Sequence, residues 1–139
     1  KIQACIACNK CYGNEGNACF FGDAFNDLAP LIENADILVL ATPRYWFSFT
    51  AQIKAAFDTL YALMVGKREV KVKETVLVVC AETDIMQDFD GIVRSYELIN
   101  NYMQWTSLGT LLVPNVNLVG DIENTDALKQ GEEMGKAVK

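Results

Sequence analysis

Three short and mainly apolar runs stand out along the chain, at positions 37–41, 75–80 and 108–113. Each run is too short for a lone helix, and such continuous apolar character is typical of strands buried on both faces of a parallel sheet. Pro43 and Pro114 close the first and third runs, because proline lacks the N–H group that a strand ladder needs. The pattern therefore predicts three buried strands.

Apolar residues spaced three and four apart predict a helix before the first strand, with Phe25, Leu28 and Ile32 on one face. Asp23 precedes this pattern and can cap the helix, because its carboxylate accepts hydrogen bonds from first-turn N–H groups. Pro30 lies inside the pattern and removes one internal hydrogen bond. We therefore expect two short helical pieces with a kink rather than one straight helix.

Three more helical patterns follow, and they alternate with the strands. One begins after Ser48 or Thr50, the next has the clearest period in the chain, and a weakly amphipathic one begins at Asn124 or Thr125. This alternation predicts an α/β fold, with a parallel sheet covered by helices on both sides. The apolar positions are Ile53, Phe57, Leu60 and Met64; Phe89, Ile92, Tyr96, Ile99 and Met103; and Ala127, Leu128, Met134 and Val138.

The length and charge of the chain narrow its possible partners. With 139 residues and no linker-like tract, residues 1–139 are expected to form one domain. A net charge of −6 disfavours nucleic acid and anionic membranes, because both attract a basic surface. No apolar run approaches a membrane span and no signal-peptide pattern opens the chain. We therefore expect a cytoplasmic protein.

The chain contains no histidine. This excludes Ser–His and Cys–His catalytic pairs and disfavours most zinc hydrolases. Hydride or electron transfer through a bound cofactor remains, because the cofactor supplies the difficult chemistry.

Four cysteines near the start have a spacing that suits a metal cluster. Cys5, Cys8 and Cys11 follow one another at two-residue intervals, and Cys19 comes later. This spacing is close to the ferredoxin run that ligates a 4Fe–4S cluster. Four free thiols are an equal alternative. Zinc and disulfides are less favoured, since zinc sites usually use two separated pairs and disulfides are rare in the cytosol.

An aromatic loop follows the first predicted strand. In open α/β sheets, ligands bind where loops leave the carboxyl ends of strands. The aromatic side chains offer a flat apolar wall, and the loop backbone offers free N–H groups, so a planar heteroaromatic ring is the expected guest. Ordinary core packing beside a helix start is the alternative. The loop residues are Thr42, Pro43, Arg44, Tyr45, Trp46, Phe47 and Ser48.

The segment TPRYWFSFTAQIK, which begins at Thr42, resembles the flavin-ring loop of flavodoxin-like NAD(P)H-dependent FMN reductases and iron–sulfur flavoproteins. The resemblance extends from Cys5 to the last helix. It implies a flavodoxin-like three-layer fold with strand order 2-1-3-4-5, of which this chain supplies strands 3, 4 and 5. The strand, phosphate loop, helix and second strand that open the family have no counterpart here. We therefore expect half of a flavin site, the half that holds the ring.

The resemblance also implies roles for individual residues. Backbone N–H groups of residues 45–47 would donate to the pyrimidine edge of the flavin. Arg44 would either stabilise negative charge on reduced flavin, hold a nicotinamide phosphate, or remain a surface cation. The loop after the second strand, with Ala81, Glu82 and Thr83, would line the other side of the ring, whereas Cys80 is expected in the core.

Three functional hypotheses follow, and the first is preferred. The first is an FMN-dependent NAD(P)H oxidoreductase that reduces a small acceptor such as a quinone or free flavin. The second is an iron–sulfur flavoprotein whose 4Fe–4S cluster passes single electrons to FMN, with a ferredoxin-type electron donor as its partner. The third is a non-catalytic fragment or half-domain. The first strand would have an open edge, so either the missing unit is present in the real protein or another chain covers that edge. A homodimer or homotetramer is expected.

Overall fold

The computed structural model describes residues 1–138, and these form two compact units. One unit contains residues 1–36 and 51–72, and the other contains residues 37–50 together with the chain from Lys73 onward. The expectation that residues 1–139 form one domain stays a prediction.

The second unit is built on a three-stranded parallel sheet in the order β1-β2-β3. Strand β1 is Ile37–Pro43, β2 is Glu74–Cys80 and β3 is Thr106–Val113. Each strand includes the run predicted from sequence and is one or two residues longer. Because all three strands run in the same direction, their carboxyl ends lie along one edge of the sheet.

Strand β1 is not buried on both faces, which corrects the expectation from its apolar run. Leu40 and Thr42 are buried, whereas Val39, the residue before Leu40, is 58% exposed. Alternate residues of a strand point to opposite faces, so the exposed and buried positions reflect two different faces. Within the described residues β1 pairs only with β2, and it therefore forms an edge of this sheet.

Two helices of the second unit cover opposite faces of the sheet. Helix α4 (Asp90–Met103) contacts β2 through Tyr96, whose hydroxyl lies 2.7 Å from Oγ1 of Thr75. Helix α5 (Ala127–Ala137) packs through Ala127 on a cluster that includes Val78. Thr75 and Val78 are an odd number of residues apart on β2, so their side chains point to opposite faces. The predicted helix–sheet–helix layering is confirmed within this unit.

The first unit contains three helices, named here α1 (Phe25–Asn34), α2 (Ala51–Thr59) and α3 (Tyr61–Val65). The N-cap residue of α1 is Ala24 and not the predicted Asp23, which lies one residue earlier and accepts a hydrogen bond from the Phe25 N–H at 2.9 Å. Pro30 does not divide α1, because it lies on the exposed side and costs the helix a single internal hydrogen bond.

The single helix expected after Thr50 is two helices. Helix α2 ends where Thr59 turns its hydroxyl back onto the Ala55 carbonyl at 2.8 Å. Such back-bonding competes with the main-chain ladder and bends helices. Leu60 separates α2 from α3 and is buried.

None of the helices in residues 1–138 is long and apolar enough to cross a membrane.

Candidate functional site

A cleft of about 770 Å³ lies at the carboxyl edge of the sheet in the second unit. Its position agrees with the rule that places ligands at this edge of open α/β sheets. Its volume falls in the range of small-molecule sites. The lining residues are Pro43, Arg44, Tyr45, Trp46, Phe47, Cys80, Ala81, Glu82, Val116 and Asn117.

The aromatic turn, residues 45–48, forms one wall of this cleft. The N–H of Tyr45 donates to the Ser48 carbonyl at 3.1 Å, and the N–H of Ser48 donates to the Tyr45 carbonyl at 3.0 Å. Trp46 and Phe47 between them have φ angles of 49° and 64°. Positive φ at both central residues defines a type I′ turn, which is usually made by Asn and Gly. Two bulky aromatic residues in this region are strained by about 1–2 kcal/mol each.

The turn leaves two backbone donors unused. The N–H groups of Trp46 and Phe47 make no hydrogen bond within the described part of the chain, whereas the Tyr45 N–H is consumed by the turn itself. Two of the three donors expected from sequence are therefore free. They are adjacent in the chain, so a planar ring edge that carries neighbouring acceptors is a suitable partner.

The aromatic side chains of the turn are exposed. Tyr45, Trp46 and Phe47 are 63%, 91% and 51% accessible, and the Trp46 and Phe47 rings meet at 6.5 Å with an interplanar angle of 62°. The alternative of ordinary core packing is therefore wrong for these residues. Exposed aromatic faces beside free N–H donors form a surface suited to stacking.

Arg44 lies between the turn and the segment that leads into α4. Its N–H donates to the Cys80 carbonyl at 2.8 Å. Its guanidinium carbon is 4.8 Å from the ring centre of Phe47 and 5.9 Å from that of Phe89. Nε of Arg44 is buried without a hydrogen-bond partner, and within residues 1–138 Arg44 makes no ion pair. The cleft wall thus carries a positive charge without an ion pair among the described residues, and Glu82 brings a negative charge to the same cleft.

The loop after β2 forms the opposite wall. The Ala81 N–H donates to the Val113 carbonyl at 3.0 Å, and the Val116 N–H donates to the Ala81 carbonyl at 2.9 Å. These bonds extend the pairing of the sheet past the end of β2 and hold Ala81 and Glu82 at the cleft.

Three of the residues predicted for the site do not line the cleft. Thr42 is buried and its hydroxyl donates to the Pro43 carbonyl at 2.8 Å. Ser48 closes the aromatic turn through its backbone. Thr83 donates from its hydroxyl to Asp88 at 2.7 Å and thereby shapes the loop rather than the cleft.

Three cleft residues were missing from the sequence prediction: Cys80, Val116 and Asn117. Cys80 was expected in the core, but it is only half-buried and lines the cleft, because it is the last residue of β2 and lies at the carboxyl edge of the sheet. Val116 and Asn117 belong to a third loop. They follow β3, and the rule that placed the first two loops at the carboxyl edge would have placed this loop there as well. Asp121 fixes the segment, because its carboxylate accepts hydrogen bonds from the N–H groups of Asn117 and Leu118 at 2.9 and 2.6 Å. These two bonds hold the pKa of Asp121 below its ordinary value.

The cysteine cavity lies in the first unit, and Cys5, Cys8, Cys11 and Cys19 all line it. Asn26 of α1 fixes Cys19, because its side-chain amide bonds both the N–H and the carbonyl of that residue, at 2.8 and 3.0 Å. The four predicted cysteines therefore line one cavity, and their role as a ligand set stays a prediction.

The cysteine cavity shows no geometry for zinc or disulfides. All five cysteines are free, and no three His, Cys, Asp or Glu residues in positions 1–138 are grouped around a single metal ion. Burial raises the pKa of the Cys11 thiol, and the neighbouring cysteines raise it further. The same absence of a three-ligand group means that the described residues do not present a preformed iron–sulfur ligand set either, so the cluster stays a prediction beside the alternative of four free thiols.

A tyrosine hydroxyl completes the wall of the cysteine cavity. The hydroxyl groups of Tyr61 and Tyr12 are 3.2 Å apart, and Tyr61 donates to Oδ1 of Asn9 at 3.3 Å. The bond with Tyr12 raises the pKa of Tyr61 to about 12. Tyr61 therefore remains a neutral donor at pH 7.

With this geometry in view, comparisons with known proteins are informative. The family described as NADPH-dependent FMN reductase matches residues 4–121, which is most of the chain. The chain belongs to this family. Both the aromatic turn and the cysteine cavity lie inside the matched residues.

A curated relative is the iron-sulfur flavoprotein of Archaeoglobus fulgidus, 33% identical over 60 residues. The match covers 43% of this chain and 26% of the relative. The chain thus aligns with about a quarter of that protein.

Two solved structures show the same fold. The Trp repressor binding protein from Bacillus subtilis superposes with a TM-score of 0.69 at 20% identity, covering 84% of this chain and 76% of that one. A thermophilic tryptophan halogenase from Streptomycin violaceusniger superposes with a TM-score of 0.62 at 16% identity, covering 85% and 75%. The α/β flavodoxin-like class predicted from sequence is confirmed.

Proposed function

We propose that the cleft binds the ring system of FMN and that the protein passes electrons from NADPH or NADH to a small acceptor such as a quinone or free flavin. The observation that carries this proposal is the aromatic turn. Its two free N–H groups, on Trp46 and Phe47, lie beside exposed aromatic faces at the carboxyl end of β1. A flavin has a planar ring with acceptors along its pyrimidine edge, and the residues present fit that group.

FMN, when bound, supplies the capacity to accept a hydride and release electrons. The chain supplies binding and orientation. Trp46 and Phe47 donate their N–H groups to the ring edge and limit access of water through their side chains. Arg44 places a cation with a free Nε in the wall, which favours negative charge on the part of the ligand beside it, while Glu82 lines the cleft on the loop after β2. Ala81 and Val116 provide an apolar surface opposite the turn.

Fluorescence titration with FMN and with riboflavin tests the ring site, because riboflavin has the same ring without the phosphate. Replacing Trp46 and Phe47 together by alanine should weaken binding of both ligands by about 1–3 kcal/mol, the scale of aromatic stacking on a heterocycle. Tyr102→Ala is the matched control, since Tyr102 is an equally exposed aromatic that does not line the cleft. Equal affinity of the double variant and the control would place the ring elsewhere.

Activity is measured as oxidation of NADPH and NADH with a soluble quinone as acceptor. We expect turnover that depends on added FMN and that falls in the double variant. Flavin binding without any turnover would refute the reductase activity, and absence of both would favour the non-catalytic hypothesis.

A second candidate function is electron transfer through a 4Fe–4S cluster, with a ferredoxin-type donor. Two observations favour it: four thiols line one cavity, and a relative is named an iron-sulfur flavoprotein. After anaerobic reconstitution with iron and sulfide, the wild-type chain should bind four iron atoms and Cys11→Ser should lose them. Cys80→Ser is the control, because Cys80 does not line the cysteine cavity. No bound iron in the wild-type chain would defeat the cluster.

A further inference from the structure

Gly91, the second residue of α4, lies directly against the aromatic turn. A Cβ atom at this position would lie 2.5 Å from the carbonyl oxygen of Phe47 and 3.7 Å from its Cβ. Real Cβ atoms do not come that close to a backbone oxygen. The loop carbonyl therefore occupies the space that any other side chain would fill.

The backbone conformation of Gly91 does not itself require glycine. Gly91 is absent from the residues with positive φ in the described chain, and inside a helix alanine is normally favoured over glycine. The close approach of Phe47 is thus what makes glycine necessary at this position.

The Phe47 side chain is held from the same direction. Its ring contacts the guanidinium of Arg44, which in turn lies over the ring of Phe89. Phe89 is fully buried and directly precedes α4, so it provides a fixed base for this stack. The start of α4 therefore supports both the backbone and the side chain of Phe47. We name Arg44, Phe89 and Gly91 the turn seat.

A displacement of the Phe47 carbonyl is transmitted to the ligand-facing donors. Both central residues of the turn occupy the left-handed region, which is narrow for residues other than glycine. The turn is also closed by two backbone bonds between Tyr45 and Ser48. With so little freedom, the turn must shift as a whole, and the N–H groups of Trp46 and Phe47 shift with it.

We infer that Gly91 is a positioning residue that sets the direction of the Trp46 and Phe47 N–H donors from outside the cleft. Gly91 does not line the cleft itself. The identity of the ligand rests on the proposed function, whereas the action of the turn seat on the turn does not. The flavin-ring affinity of the cleft thus depends on a glycine that has no contact with the ring.

The test compares Gly91→Ala with Gly135→Ala. Gly135 is a helical glycine of α5 with nothing within 4 Å of its would-be Cβ, so its replacement adds the same methyl group without contact. Two quantities are measured: amide chemical shifts of the ligand-free protein, and affinity for riboflavin and FMN. Gly91→Ala should shift the Trp46 and Phe47 amides and weaken both ligands about tenfold to a hundredfold, the effect of a misplacement of about 1 Å. Gly135→Ala should leave both quantities unchanged.

Unshifted Trp46 and Phe47 amides in Gly91→Ala, or shifts no larger than in Gly135→Ala, would overturn the inference. Shifted amides in a protein whose wild type binds no flavin would support the turn seat and refute the proposed ligand. If Gly91→Ala does not fold, Phe89→Leu tests the other side of the seat, because it keeps an apolar residue and removes the ring under Arg44. That variant should also shift the Trp46 and Phe47 amides, and unshifted amides would count against the inference.

Discussion

Trp46 and Phe47 combine exposed side chains with a strained backbone, an arrangement that lowers stability. Their side chains are largely exposed and so contribute little burial, yet their backbones occupy the left-handed region. Strain of this kind persists only where the surroundings enforce it and is common at ligand sites. The positive φ angles of these aromatic residues could not be predicted from the sequence, because type I′ turns are normally recognised by Asn and Gly at the central positions.

Trp46→Asn should stabilise the protein and weaken flavin binding. Asparagine tolerates positive φ, and the substitution removes little burial because Trp46 is 91% exposed. We expect a gain of about 0.5–1 kcal/mol in the free energy of unfolding, measured by urea denaturation. Tyr45→Asn is the control, since Tyr45 is exposed in the same turn without a positive φ. Equal stability changes in both variants would show that the turn is not strained.

Asp121 should make the folding stability of the protein depend on pH, because it fixes the segment that contains Val116 and Asn117. Its pKa lies below the ordinary 3.8 because two backbone N–H groups bond its carboxylate. A lowered folded-state pKa means that the stabilisation is fully present above the ordinary pKa and is lost as the pH falls through the lowered value. Asp121→Asn should therefore lower stability at pH 7 and cost progressively less in acid.

The measurement for Asp121 is the urea midpoint of wild type and variant across acidic and neutral pH. Glu123→Gln is the control, because it removes an exposed carboxylate from the same short helix, Asp121–Asn124. A difference between wild type and Asp121→Asn that stays constant with pH would contradict the assignment.

At the scale of elements, α4 is fixed to the sheet by a buried polar network. The Tyr96 hydroxyl lies 2.7 Å from Oγ1 of Thr75 and 2.9 Å from Oγ of Ser107, and Oγ1 of Thr75 lies 3.1 Å from Oδ1 of Asn100. Most polar groups removed from water have such partners, whereas Nδ2 of Asn100 has none within the described residues. Because α4 carries Gly91 at its other end, this network also fixes the turn seat.

Tyr96→Phe should lower the free energy of unfolding by about 1–2 kcal/mol, because it leaves the Thr75 and Ser107 hydroxyls with fewer partners. Tyr102→Phe removes an identical hydroxyl from an exposed position of the same helix and should have no measurable effect. Urea denaturation of both variants gives the comparison. Equal destabilisation would mean that the network contributes nothing specific to the attachment of α4.

Elements were predictable where one pattern decided the structure. The apolar runs predicted all three strands. Their parallel arrangement followed from the helical patterns that alternate with them. Helix α4 followed from its clear period. The break at Leu60 was not predictable from apolar spacing, which runs through α2 and α3 without interruption. In β3 one extra residue, Leu108, falls between the pairs Thr75–Ser107 and Val76–Gly109, and no pattern of polarity signals such a bulge.

At the scale of the whole chain, the location of the site could be predicted from the sequence, whereas the contacts between its residues could not. Topology placed the loops after β1 and β2 at one edge, and both line the cleft. The contacts of Arg44 with Phe89 and of Phe47 with Gly91 depend on three-dimensional packing. They could not be predicted, because Phe89 and Gly91 lie far from the aromatic loop in the sequence and no local pattern pairs them with it.

The last prediction concerns assembly. We propose that the protein forms a homodimer or homotetramer. Within the described residues β1 has one unpaired edge, and Val39 on this strand is 58% exposed; Leu118 and Val119 add further exposed apolar surface. Exposed strand edges and apolar patches of this kind are commonly covered by another subunit. Light scattering should therefore give a mass well above the 15.4 kDa of one chain.

A charged side chain on β1 tests whether this strand takes part in the assembly. Val39→Lys should lower the mass at micromolar concentration, because a lysine on an edge strand opposes pairing with another chain. Leu128→Lys on α5 is the matched control, since Leu128 is 60% exposed and lies away from the strand edge. A monomeric wild type would refute the assembly. Equal loss of association in both variants would show that general surface charge, rather than the β1 edge, controls it.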